Sequence, residues 1–287
     1  MLFHPPKNPV ELKVMHLNKT QQQRREDLME ATQGKAALKQ LKKSMAKKAK
    51  QALKVKSKSK KKDKNKETSQ QVFVLDFDGD IKASAVKHLR EEISTLISTA
   101  NKGDEVIIRL ESGGGMVHSY GLAAAQLVRL KDAGLKLTVC VDKIAASGGY
   151  MMACVADKII AAPFAVIGSI GVVSQLPNFN KLLKKNDVDY EMFTAGDYKR
   201  TVTVFGENDD EDRAKYQQEL EQTHDLFKHF VSTYRSELDL NKVANGEHWY
   251  GEDAVKLNLV DKLQTSDSYI LQPVSYTHLR AHETRHD

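Results

Sequence analysis

The chain has 287 residues, 40% of them hydrophobic, and a formal net charge of +6, enough apolar material for one or two packed domains. Fifteen lysines and a single acid, Asp63, fall within residues 35–66, and acids outnumber bases elsewhere. The basic balance therefore belongs to one segment and makes no case for nucleic-acid binding by the whole chain. Two cysteines, Cys140 and Cys154, exclude a disulfide framework and read as small buried thiols.

The first residues, MLFHPPKNPVELKV, carry prolines and charges where a secretory leader needs an apolar centre. No run approaches the roughly 18 apolar residues of a membrane helix, so the sequence reads as soluble. Residues 1–70 read as a charged arm. Within it, 21–30 and 34–52 have helix-forming composition. Residues 54–66, nearly pure lysine and serine, have no apolar face to bury and read as a disordered tether.

At residue 71 the pattern changes. VFVLDF (72–77) and EVIIRLES (105–112) read as strands, and helical periodicity occupies 84–100 and 116–133, with Gly134 as a stop. LKLTVCVD (135–142) is another strand, 147–156 a helix, and 158–161 and 190–194 two further strands. Such alternation implies βαβ crossovers and a mainly parallel sheet. Residues 209–238 form one long amphipathic helix whose stripe packs into the core or between subunits. Residues 246–263 read as loop, short helix and final strand, closing a domain at 71–266. The tail is 267–287; its last part, 273–287, has no core pattern, reads as a translated adaptor remnant and is excluded from the fold.

Two glycine-rich turns carry candidate chemistry. In Ala145-Ala146-Ser147-Gly148-Gly149-Tyr150 a serine stands between a strand and a helix, where free N–H groups favour a developing oxyanion. Ser147 reads equally as a nucleophile or as a helix cap. In Glu111-Ser112-Gly113-Gly114-Gly115-Met116-Val117 three glycines expose backbone N–H groups, which suits an oxyanion cradle or simply a flexible βα turn. No lysine and hydroxyl follow them, so this is not a phosphate loop. Gly113–Val117 and Gly171, Val173 and their neighbours are extended enough to pair with a substrate strand, giving Gly113, Gly115, Val117, Gly171 and Val173 as candidate substrate contacts.

A nucleophilic serine needs a base. His88, His118, His224 and His229 fall in helical segments and His248 in a loop, none with a partner at diagnostic spacing. A desolvated lysine can serve instead. Lys199, in Thr194-Ala195-Gly196-Asp197-Tyr198-Lys199-Arg200, follows an expected strand, although a solvated turn lysine is the plainer reading. His282-Glu283-Thr284-Arg285-His286 has zinc-peptidase spacing but sits in the excluded tail without an apolar helix around it, so no metal is expected.

ESGGGMV, KIAASGGYMMACVADKIIAAP, GSIGVV and TAGDYKR occur in that order. Together they resemble the signal-peptide-peptidase family of serine–lysine peptidases, in its short, single-domain inner-membrane form, over about 72–266. The resemblance implies an α/β fold of the ClpP/crotonase kind: stacked βα units around a mainly parallel twisted sheet, preceded here by the helical and disordered lysine-rich arm. It implies Ser147 as nucleophile, Lys199 as general base, Gly148 and Gly114 as oxyanion donors, and Ser169 as the residue orienting the lysine. It further implies a serine endopeptidase without metal or cofactor, acting on signal-peptide-like or small membrane-associated polypeptides. Peptide or protein substrates, homo-oligomers and attachment to the bacterial inner membrane are the implied partners and place, with the side of the membrane open. Two departures are visible: Gly113 stands where the family has proline, and no anchor precedes the arm. The competing readings are a crotonase-like acyl-CoA enzyme, which would not need the serine, and an inactive membrane-associated scaffold.

Overall fold

The computed structural model describes residues 11–59, 70–271 and 276–282. Strand β1 (Glu11–Met15) leads into α1 (Leu17–Ser59), which breaks at Gly34, where φ is 81°. Glu26 meets Lys42 at 3.0 Å. On a straight helix these two would stand about 24 Å apart, so the break turns the second half back along the first. Residues 54–59, expected in the disordered tether, continue this helix; the remainder of that tether lies outside the described residues.

The chain then alternates through β2 (Val72–Gly79), α2 (Val86–Thr99), β3 (Glu105–Ser112), α3 (Val117–Asp132) and β4 (Lys136–Val141). Next come β5 (Ile144–Ala146), α4 (Gly148–Ala153), β6 (Lys158–Ala161), β7 (Val166–Gly168) and α5 (Asn180–Lys185). The long α6 (Asp210–Tyr234) is followed by α7 (Leu240–Val243), β8 (His248–Tyr250) and α8 (Gly251–Lys256). Strand β9 (Lys262–Leu263), α9 (Ser266–Ile270) and β10 (Tyr276–His282) complete the described chain.

The fold is mixed α/β with a mostly parallel sheet, in the order β1-β10-β2-β3-β4-β6-β9. All neighbours in that path are parallel except β1 and β10. A short second layer branches from the end of β3, through β5 and β7 to the antiparallel β8. The apolar run Val72–Leu75 that opens β2 follows from burial on both faces. Phe73, Leu75 and Phe77 enter the main core beneath α2 and α3, while Val72 and Val74 join Ile107, Cys140 and Ile160 on the other side.

Helix α6 begins with a capping box in which the Asp209 side chain accepts from the Asp212 N–H and is answered by the reverse bond. Its far end is fixed by Arg235, which reaches both carboxylate oxygens of Asp261 at 2.9 and 3.0 Å and the Asn258 carbonyl at 2.8 Å. The capping box orders the first turn of α6, and the Arg235 fork ties its far end to the 258–261 segment.

Three further expectations are corrected. Residues 190–194 form no strand: Tyr190, Met192 and Phe193 suit one, but among the described residues no strand pairs with them, and Phe193 is 89% exposed. His248 belongs to β8, not to a loop, paired in register with Gly168. Within the excluded tail, Tyr276–His282 forms a strand between β1 and β2, because backbone pairing at a sheet margin needs no core pattern.

Candidate active site

The carboxyl ends of four strands meet at one place. Gly79 pairs with Ser112, Ser112 with Ala145, and Ala146 with Gly168. The space beyond the carboxyl ends of parallel strands is where open α/β sheets place ligands.

Ser147 follows β5 directly and takes φ 52°, ψ −120°. A non-glycine residue there carries on the order of 1–3 kcal/mol of strain. Two hydrogen bonds hold it: its N–H donates to Gly168 O at 2.8 Å, and its carbonyl accepts from the Met151 N–H at 2.9 Å, opening α4. The helix-cap reading is not what the geometry shows, since the Ser147 side chain makes no cap bond. As the first residue of α4, Gly148 has an N–H with no acceptor inside the helix. Ser169 stands immediately after Gly168, half-buried at φ 51°, its N–H donating to Glu247 O at 2.6 Å.

The glycine strap crosses beside this turn. Gly114 has φ 89°, and a Cβ there would lie 2.7 Å from both Gly148 N and Ser147 Cβ, so only glycine permits the approach. The Gly114 N–H donates to Ser112 Oγ at 3.1 Å. That hydroxyl is 2.5 Å from Tyr120 Oη, which in turn donates to Asp80 O at 2.7 Å. Burial raises the Tyr120 pKa, keeping the phenol a neutral donor. The Asp80 carboxylate accepts from Ser84 N and Oγ at 2.8 and 2.7 Å, bonds that lower its pKa and pin the next loop. The Met116 N–H donates to Ile81 O at 2.8 Å, tying the strap's far end to that loop.

A cavity of about 20 Å³ adjoins Ser147 and Gly148. Gly115, Val117 and Gly171, three of the residues named from sequence as candidate substrate contacts, line it. Gly113 is exposed and Val173 is 81% exposed; neither lines it. Val172 takes the place expected of Val173. Met151, Thr223 and Phe227 complete the walls and were not singled out from sequence. Met151 was findable, one helical turn after Ser147. Thr223 and Phe227 share one face of α6 at i, i+4, but nothing local says which element that face meets. His224, beside them, holds Nε2 3.2 Å from Ile170 O.

Lys199 stands apart from this group. It closes a turn in which its N–H donates to Gly196 O at 3.1 Å, and it is exposed. Neighbouring Tyr198 lies under Lys215 Nζ, 4.7 Å from the ring centroid. Lys215 precedes Thr223 by eight residues on α6, about 12 Å along the helix axis. Lys199 lines a separate cavity of about 680 Å³ with Tyr190, Met192, Phe193 and Phe205. Ser147, Gly148, Gly114 and Ser169 are thus brought together within one chain, and Lys199 is not.

Cys140 and Cys154 are free and buried, as expected. Of the zinc-like run, His282 ends β10 and the other four residues lie outside the described residues. Among the described residues no helix is long and apolar enough to cross a membrane.

Residues 129–273 match the family description "Peptidase family S49" and residues 4–127 match "Peptidase family S49 N-terminal". Among curated relatives, the chain is similar to a "Probable protease SohB" of Haemophilus influenzae, 64% identical over 70% of this chain and 57% of that protein. It is similar to a second of the same name from Buchnera aphidicola subsp. Schlechtendalia chinensis, 50% identical over 93% of this chain and 88% of the relative. A "Protease 4" of Haemophilus influenzae is 32% identical over 57% of this chain and 27% of its own length. The chain spans 57% and 63% of the lengths of the Haemophilus relative and a Buchnera aphidicola subsp. Acyrthosiphon pisum relative bearing the SohB name.

Proposed function

We propose that this chain, which belongs to peptidase family S49, is a serine endopeptidase using Ser147 as nucleophile and Lys199 as general base. The observation that carries the reading is the setting of Ser147. It is a serine held at positive φ where four strand ends meet, with the Gly148 N–H beside it and a cavity at its side.

Ser147 Oγ attacks the scissile carbonyl carbon as its proton passes to Lys199 Nζ. The C–N bond breaks, the leaving amine takes that proton, and an ester on Ser147 remains. Water, deprotonated by Lys199, then hydrolyses the ester and frees the serine. The Gly148 N–H stabilises the oxyanion, and the Gly114 N–H joins it by sharing or exchanging its bond to Ser112. Ser169 orients the lysine.

Lys199 acts from a neighbouring copy of the chain. A lysine must be desolvated to serve as a base, and the exposed Lys199 turn, flanked by the exposed Phe193 and Tyr198, offers an apolar surface for that burial. A homo-oligomer therefore completes the site. Signal-peptide-like or small membrane-associated polypeptides are the proposed substrates, and the inner membrane the proposed place of action for the natural protein. Residues 71–266 form the peptidase domain and 1–70 an accessory arm.

Incubating the chain with casein beside Ser147→Ala and Lys199→Met tests the reading. Cleavage by the unaltered protein alone is expected. Equal cleavage by all three proteins sinks the dyad, and cleavage by none favours a scaffold.

A further inference from the structure

From the way β8 meets the end of β7 we infer that Trp249 is a positioning residue for Ser147, acting through one peptide group, Gly168–Ser169. The inference rests on the peptidase reading and deepens it. That peptide is held from both sides. Its carbonyl, on Gly168, accepts the Ser147 N–H at 2.8 Å, and its N–H, on Ser169, donates to Glu247 O at 2.6 Å. Two hydrogen bonds in series, each polarising the other, thus link the chain beside Trp249 to Ser147.

The link runs through backbone that needs support. Gly168, Ser169 and Ser147 have φ of 101°, 51° and 52°, and non-glycine residues persist at such angles only where their surroundings fix them. A peptide group moves as one rigid plane, so rotation of the 168–169 plane would break both bonds together. Trp249 occupies the space beside it: a Cβ on Gly168 would lie 2.9 Å from both Cε3 and Cζ3 of the indole. The ring is half-buried and packs against the main core. Its strand is anchored on either side. Before it, the Glu247 N–H donates to Asn245 Oδ1 at 3.0 Å, Asn245 Nδ2 donates to the Glu247 carboxylate at 2.9 Å, and the Gly246 N–H donates to Ile170 O at 3.2 Å. After it, Gly251 lies so close to Ala162 O that no Cβ fits. The segment therefore presents a fixed acceptor and a fixed ring to the peptide that holds Ser147. Trp249 does not line the cavity beside Ser147, so it acts through geometry alone.

The test measures kcat and KM on labelled casein for the full chain, Trp249→Ala, Trp249→Phe and Asn245→Ala, with Tm for each. A misplacement of about 1 Å costs on the order of a hundredfold in rate; on that scale Trp249→Ala is expected to lower kcat by at least about tenfold while KM stays within about twofold. Trp249→Phe, which restores a ring, should recover most of the loss. Because Trp249 also packs on the core, Asn245→Ala provides a second variant at an exposed position. It frees the Glu247 end of the link and should lower kcat in the same sense at nearly unchanged Tm. A folded Trp249→Ala that keeps its kcat overturns the inference, as does a loss carried by KM alone or one that phenylalanine does not relieve. If Trp249→Ala does not fold, an unchanged kcat in Asn245→Ala overturns it. In each of these cases cleavage still needs Ser147 and the peptidase stands. Casein cleavage undiminished in Ser147→Ala, or absent from the unaltered chain, overturns the peptidase reading and the inference with it.

Discussion

The Gly114 N–H donates to Ser112 Oγ at 3.1 Å, on the strap that crosses beside the candidate nucleophile. This bond hangs the strap from a chain of hydroxyls running through Tyr120 to the Asp80 carbonyl. The shape of the cradle therefore depends on a buried phenol, not only on its three glycines.

Tyr120→Phe removes the middle of that chain, leaving Ser112 Oγ with the Gly114 N–H and a long 3.3 Å bond to Gly79 O, and the Asp80 carbonyl with the Ala83 N–H. Each hydrogen bond lost this way contributes about 0.5–1.5 kcal/mol. Thermal denaturation should show a lowered Tm, and casein cleavage should fall because the strap is no longer fixed. A variant with unchanged Tm and unchanged rate would mean that the hydroxyl chain positions nothing.

The two neighbouring glycines should behave in opposite ways. At Gly114 an added Cβ meets Gly148 N and Ser147 Cβ at 2.7 Å, and φ is 89°. Gly114→Ala must push the strap off Ser147, and activity should drop at least tenfold. At Gly113 an added Cβ meets only Ile144 Cδ1, at 3.7 Å, and φ lies outside the left-handed region. Gly113→Ala should stabilise the chain by about 0.4–1 kcal/mol by restricting the unfolded state. Comparing the two variants by denaturant midpoint and by turnover checks both; a destabilised Gly113→Ala would contradict the open space.

The thiols give a pH signature. Burial pushes Cys140 from 9.0 up to about 12, and burial raises Cys154 in the same direction. The folded state thus favours the protonated thiol. Its contribution to stability is fully present below the unfolded value of 9.0 and is lost as pH rises toward about 12. Neither thiol should react with a thiol-specific disulfide reagent in the native protein at about pH 8, close to the unperturbed cysteine pKa. Both should react once the protein is denatured, and Tm should fall steadily above pH 9.0. Rapid labelling of native protein would place a thiol at the surface.

Sequence legibility follows the range of the forces involved. Strand β3 and strand β6 coincide with the expected 105–112 and 158–161, because short β-branched runs between turn residues are local signals. The Ser147 turn and the strap were visible through their glycines. Strands β5, β7 and β8 have three residues each, too few for any period to register. Residues 190–194 have strand composition but no neighbouring strand, which only the tertiary fold decides. Thr223 and Phe227 reach the cavity from 76 and 80 residues beyond Ser147, a relation set by how α6 is anchored at Asp261. Lys199 was singled out only through the family motif, because an exposed turn lysine carries no local signal of desolvation.

The central claim is that Ser147 of one copy takes its base, Lys199, from another. Co-expressing Ser147→Ala with Lys199→Met and measuring casein cleavage by the mixed assemblies tests it most directly. Each variant alone should be inactive. In mixed assemblies an intact serine faces an intact lysine at about a quarter of the head-to-tail interfaces, so activity should return to about that fraction of the unaltered protein. Mixed assemblies that remain as silent as either variant would contradict the claim, as would either variant that cleaves casein by itself.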